Sequence, residues 1–84
     1  MSSQPPHLRD TKYAREIARS VLSWPSGDEA RIERLEIKST GLIEIRLSWW
    51  KDGQMQPRPL DLSEADFYKL LIQGIRDGVL SPQA

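Results

Sequence analysis

The segment Leu42-Ile43-Glu44-Ile45-Arg46-Leu47-Ser48-Trp49-Trp50-Lys51-Asp52-Gly53-Gln54-Met55 constrains the fold most, because it alternates along a strand and then enters an Asp-Gly pair. Alternation has the period of a β-strand, whose successive side chains point to opposite faces of a sheet. Ile43, Ile45, Leu47 and Trp49 then share one face, read as the core face, while Arg46, Ser48 and Trp50 share the other. Asp52-Gly53 signals a hairpin, with glycine supplying the positive φ that a tight turn demands. A two-residue loop pairs Trp50 with Met55, whereas a three-residue loop with a glycine bulge sets Trp49 opposite Met55, and the two registers exchange faces. Met55 opens a further strand, which Pro57 and Pro59 restrict to an edge or an irregular path because neither donates a ladder hydrogen bond.

The flanking segments read as helical. Tyr13, Ala14, Ile17, Ala18, Val21 and Leu22 recur at helical spacing with Lys12, Arg15, Glu16 and Arg19 elsewhere on the wheel, which predicts an amphipathic helix from an Asp10 cap to residue 22. Ser23-Trp24-Pro25-Ser26-Gly27 ends it. Asp28 to Leu35 fits a short helix or a strand, and a strand is expected from about Ile32, followed by a Ser39-Thr40-Gly41 turn. Ser63 is the N-cap of a second helix, with Asp66 three residues on and Leu62 and Phe67 at staple spacing. Its expected buried stripe is Phe67, Leu70, Leu71, Gly74 and Ile75, and Asp77-Gly78 closes it. The fold class is α+β: an N-terminal helix, an antiparallel sheet of three to four strands and a C-terminal amphipathic helix. One domain spans residues 10–80, between a flexible arm at residues 1–9 and a tail at 81–84.

Composition narrows the function. Twelve basic and twelve acidic side chains cancel, so a role with nucleic acid must rest on a local patch and not on an overall basic excess. With no cysteine, thiolate catalysis, iron-sulfur clusters and cysteine zinc sites are absent. The single histidine, His7, lies beside Pro5-Pro6 in the arm, which leaves no Ser-His-acid arrangement, and no phosphate loop, zinc spacing or calcium loop occurs. Glu44 and Asp61 read as solvated charges. The expectation is a non-enzymatic module without cofactor or metal. Neither a signal peptide nor a membrane span is evident, so a cytoplasmic location is expected.

The remaining candidates are Arg46, Trp50, Lys51 and Arg58, with Ser48 among them, which alternation and the hairpin can gather on one rim. Basic groups beside an exposed indole make a stacking platform for unpaired bases, each stack worth about 1–3 kcal/mol. The same Trp50 can instead lie under the N-terminal helix or fill a dimer interface, where aromatics and arginine are enriched.

Ile43-Glu44-Ile45-Arg46, then Trp49, then Asp52-Gly53-Gln54-Met55-Gln56-Pro57, then Leu60-Asp61-Leu62-Ser63 and a helix with Phe67 and Leu70, together resemble the positive cofactor four family of single-stranded-DNA-binding transcriptional coactivators. The resemblance covers residues 32 to 76. It implies a curved antiparallel sheet with a C-terminal helix, a homodimer formed through helices, and a groove for unpaired DNA lined by Arg46, Trp50, Lys51 and Arg58. Three departures accompany it: an extra N-terminal helix, Arg58 alone between Pro57 and Pro59 where the family carries a basic segment, and a neutral chain where members of the family tend to be basic. The alternative is a protein-interaction or regulatory domain with a protein partner and no nucleic acid.

Overall fold

The computed structural model describes residues 8–81; most of the arm, including His7, and residues 82–84 of the tail lie outside the described residues. Four antiparallel strands follow one another as a meander: β1 (Ala14–Ser23), β2 (Asp28–Ile37), β3 (Ile43–Lys51) and β4 (Gln54–Met55), ordered β1-β2-β3-β4. One helix, α1 (Glu64–Arg76), completes the chain. Between β3 and β4, Asp52 and Gly53 take φ of 48° and 83°, the left-handed pair that a two-residue I′ turn requires. Trp50 accordingly pairs with Met55 and Lys51 with Gln54.

The expected N-terminal helix is absent, and residues 14–23 form β1 instead. Glu16 pairs with Leu35 and Ala18 with Arg34, which leaves Ile17 as an extra, bulged residue. A bulge exchanges the faces on either side of it. Ala14 and Glu16 therefore face one way, while Ala18, Ser20 and Leu22 face the other. A strand broken in this way produces apolar spacings that imitate a helix, and long-range pairing with β2 overrides the local pattern. Asp10, the expected cap, bridges Arg15 and forms an ion pair with Lys38.

β2 begins at Asp28, earlier than expected, and is flanked on both sides, pairing with β1 from Glu29 to Ile37 and with β3 from Asp28 to Glu36. Ala30 and Ile32 point toward α1 and, with Leu70 and Val79, form the core, against which Ala18, Leu22, Trp24, Leu60, Leu62, Leu71 and Leu80 pack. Ser63 caps α1 by accepting the Asp66 backbone N–H at 3.1 Å. At the other end Gly78 is left-handed, and Val79 and Leu80 fold back to donate to the Gly74 carbonyl at 2.8 and 3.1 Å. The Ser20 hydroxyl donates to Asp77 at 2.6 Å and Arg34 to the Val79 carbonyl at 3.2 Å, tying this end to the sheet.

α1 lies over β1 and β2, not over β3. The stripe expected to be core is therefore uncovered: Ile43, Ile45 and Leu47 are 43%, 42% and 47% exposed, and only Trp49 of that face is half-buried. Phe67 and Ile75, also expected inside, are exposed on α1. Among the described residues no helix is long and apolar enough to cross a membrane.

Candidate functional site

The face of the sheet opposite α1 carries a second buried apolar cluster, Ala14, Leu35 and Ile37, and beside it a set of charges. On β2 it presents Glu29, Arg31 and Glu33; cross-strand neighbours add Arg19 and Glu16 from β1 and Arg46, Ser48 and Trp50 from β3. Trp50 is only 8% exposed. Its indole N–H donates to the Ser48 hydroxyl at 2.9 Å, and its ring lies beneath two guanidiniums, Arg31 at 3.7 Å and Arg9 at 5.1 Å. Arg31 is held there by Glu29, through Nε at 3.0 Å and Nη2 at 2.9 Å. Trp49 looks the other way and donates to Asp28 at 2.8 Å.

Arg9, expected in a flexible arm, is part of this face. Its backbone N–H donates to Glu16 Oε1 at 2.9 Å, its carbonyl accepts the Glu16 N–H at 2.8 Å, and its Nη1 reaches Glu33 Oε2 at 3.4 Å. Arg19 grips Glu16 through both Nε and Nη2, at 2.9 and 2.7 Å. Glu33 has no exposed side-chain surface, and its Oε1 has no donor among the described residues. Burial, then hydrogen bonding to Glu16 and the charge of that carboxylate, push Glu33 up to about 7, more than Arg9 and Arg46 can offset. Burial would raise Glu16 as well, but hydrogen bonds from Arg19, from Glu33 and from the Arg9 backbone bring it down to about 2. One proton thus serves two carboxyls, residing on Glu33 and pointing to Glu16.

The sequence-predicted residues are distributed differently. Arg46 and Arg58 line one groove of about 580 Å³ beside β3 and β4, together with Leu47, Ser48, Met55 and Gln56. Neither arginine makes an ion pair or a hydrogen bond among the described residues. Lys51 lies at the hairpin, 3.6 Å from Asp28, and Trp50 is covered as described. Arg46 and Arg58 are brought together; Lys51 and the Trp50 ring do not join them. Arg9, Glu16, Arg19, Arg31 and Glu33 are the residues that reading the chain alone leaves out. The spacing Glu29-Arg31-Glu33 carries a signal for two of them, Arg31 and Glu33, visible once the strand is started at Asp28. Among the described residues no group of three or more histidines, cysteines and carboxylates converges to hold a metal ion.

No family model, curated protein or solved structure matches this chain.

Proposed function

We propose that the chain is a small, non-enzymatic module for single-stranded nucleic acid, which grips the backbone through Arg46 and Arg58 and does not stack bases on Trp50. The observation that carries this reading is a pair of guanidiniums in one groove that form no ion pair or hydrogen bond among the described residues, Arg46 meeting the charge of Glu33 only across the β2–β3 pairing, flanked by the exposed apolar surfaces of Leu47 and Met55. Most other cations on the sheet are engaged by carboxylates, as with Arg15 and Glu36 or Arg31 and Glu29, and so are less available to phosphate. The order of elements, an antiparallel sheet followed by one helix, is the one the positive cofactor four resemblance implies. The N-terminal helix that would set the chain apart is a strand. A transcription-related role and a cytoplasmic location belong to the same reading.

Each phosphate contact to a single strand contributes about −0.7 to the slope of log affinity against log salt. Two guanidiniums predict a slope of about −1.4, approaching about −2 if phosphate draws Lys51 away from Asp28. Anisotropy of a labelled mixed-sequence oligonucleotide measures it, and Arg58→Ala should make the slope shallower by about 0.7. Binding that is absent, or indifferent to salt, rules the reading out.

A second reading, self-association or docking of a protein partner, is supported by a different surface. Ile43, Ile45 and Leu47 on β3 and Phe67 on α1 leave an apolar stripe open, and β4 pairs only with Trp50 and Lys51, so much of the outer edge of β3 is unpaired.

A further inference from the structure

We propose that the recess formed by Trp50, Glu33 and Glu16 is a guanidinium-binding site, occupied in cis by Arg9, whose ligand in trans is an arginine side chain presented by a protein partner. The proposal is independent of the nucleic-acid reading, which uses the Arg46–Arg58 groove.

The recess has two parts that arginine recognition needs: an aromatic face and a carboxylate for the planar fork. Trp50 supplies the first, 5.1 Å from the Arg9 guanidinium carbon. Glu33 supplies the second, while Glu16 Oε1 is already taken by the Arg9 backbone N–H and by Arg19 Nη2 and forms the wall of the site. Arg31 also covers the indole but its guanidinium is fastened to Glu29 by two hydrogen bonds, whereas Arg9, whose backbone is held by Glu16, has a side chain that is 30% exposed and holds Glu33 through one contact of 3.4 Å. Arg9 is therefore the exchangeable cation.

Arg9 also fills the site incompletely. Only Nη1 approaches Glu33, at 3.4 Å, and only Oε2 is touched; the fully buried Oε1 has no donor among the described residues. A guanidinium seated deeper would offer parallel N–H groups to both oxygens, the bidentate geometry that makes such pairs strong. It would have to displace the proton that Glu33 shares with Glu16. Binding is then an exchange: the guanidinium enters, one proton leaves for solvent, and the net charge of the recess is unchanged. Because Glu33 is raised to about 7, the exchange is favoured above neutrality and opposed below it. Among the described residues, the groups facing Glu33 are Arg9 from the preceding segment, Glu16 and Arg19 from β1, Arg46 from β3 and Arg31 on its own strand; α1 covers the opposite face. Of these only Glu16 is a titratable acid, and at about 2 it stays ionised throughout.

The test uses the full chain carrying Arg9→Ala, and in parallel Arg9→Gln, which keeps side-chain bulk if the smaller residue compromises folding. The probe is N-acetyl-arginine amide, with the lysine analogue as control. The readout is the indole N–H resonance of Trp50, assigned by Trp50→Phe, with Trp24 and Trp49 as internal references. Saturable millimolar binding that moves the Trp50 signal in either variant, weakens about tenfold from about pH 8 to about pH 6, is lost on adding Glu33→Gln, and is absent from the wild-type chain supports the site. No shift in either folded variant, an equal response to the lysine analogue, or the same response in the wild-type chain overturns it.

Discussion

Glu33 occupies the middle of a four-stranded sheet with no exposed side-chain surface, and its proton makes the stability of the whole domain depend on pH. Its folded pKa of about 7 lies above the ordinary 4.5, so between those values the native state holds a proton that the unfolded chain has released. The contribution of Glu33 is full below about pH 4.5 and is lost as pH rises through about 7, by about 2–3 kcal/mol. Glu16 acts in the opposite sense: held at about 2, it contributes fully above about pH 4.5 and loses that contribution as pH falls. Urea midpoints should therefore peak near pH 4.5–5 and decline toward about pH 8, and Glu33→Gln should flatten the alkaline decline. A variant that keeps the wild-type decline assigns it to another group. At this scale the chain was legible only in part. Alternation placed Trp50 opposite Trp49 correctly, but whether its ring is open depends on Arg31 and Arg9, which reach it through the β2–β3 register and from the segment before β1. Burial of Glu33 was illegible for a related reason. A charge in mid-strand looks solvated until the neighbouring strands supply the arginines that cover it.

At the level of elements, signals confined to a few consecutive residues read through to the structure and those requiring a partner did not. Asp52-Gly53 and the Ser63 cap are self-contained, since the turn and the first helical turn hold their own hydrogen bonds. β1 is not self-contained: its bulge at Ile17 shows only in its pairing with β2, and without that pairing the residues fit a helix. Two glycines make the element-level account testable. Gly74 sits in mid-helix, where a methyl group would meet Ile32 and Leu80 at 3.5 Å, ordinary contact distance. Gly74→Ala should therefore raise stability by up to about 1 kcal/mol, the helix-propensity gain, with the sheet unchanged. Gly27 is different, because its φ is 93° and an added Cβ would lie 2.2 Å from Asp52 Oδ1. Gly27→Ala should lower stability by about 1 kcal/mol because a side chain is strained at that φ, while the Asp52 carboxylate, the end of a flexible side chain, can swing aside. Denaturation of the two variants side by side measures both, and a reversal of their order would show that the connection accommodates a side chain.

For the molecule as a whole, the decisive feature is that one helix cannot cover a four-stranded sheet. α1 covers β1 and β2, which leaves Ile43, Ile45 and Leu47 on β3 beside Phe67 on α1 as an open apolar stripe. The alternation of β3 made that stripe legible, but its assignment to the interior assumed a covering layer that no element among the described residues supplies. Two copies meeting along the stripe would supply the layer, each giving its Phe67 and its β3 side chains to the other. A pair of interdigitated Leu47 side chains, each 47% exposed in one copy, would contribute about 1 kcal/mol each on removal from water. Leu47→Lys tests this, because a lysine at a half-exposed position leaves a monomer nearly unaffected but sets like charges against each other across a twofold contact. Sedimentation equilibrium should show a wild-type dimer weakened at least about tenfold by Leu47→Lys, with the thermal midpoint of the isolated chain little changed. Ile72→Lys, on an exposed helical position away from β3, should leave the association constant as it was. Should the wild-type chain sediment as a monomer at all concentrations, the stripe does not join two copies, and the second reading rests on a partner of different sequence.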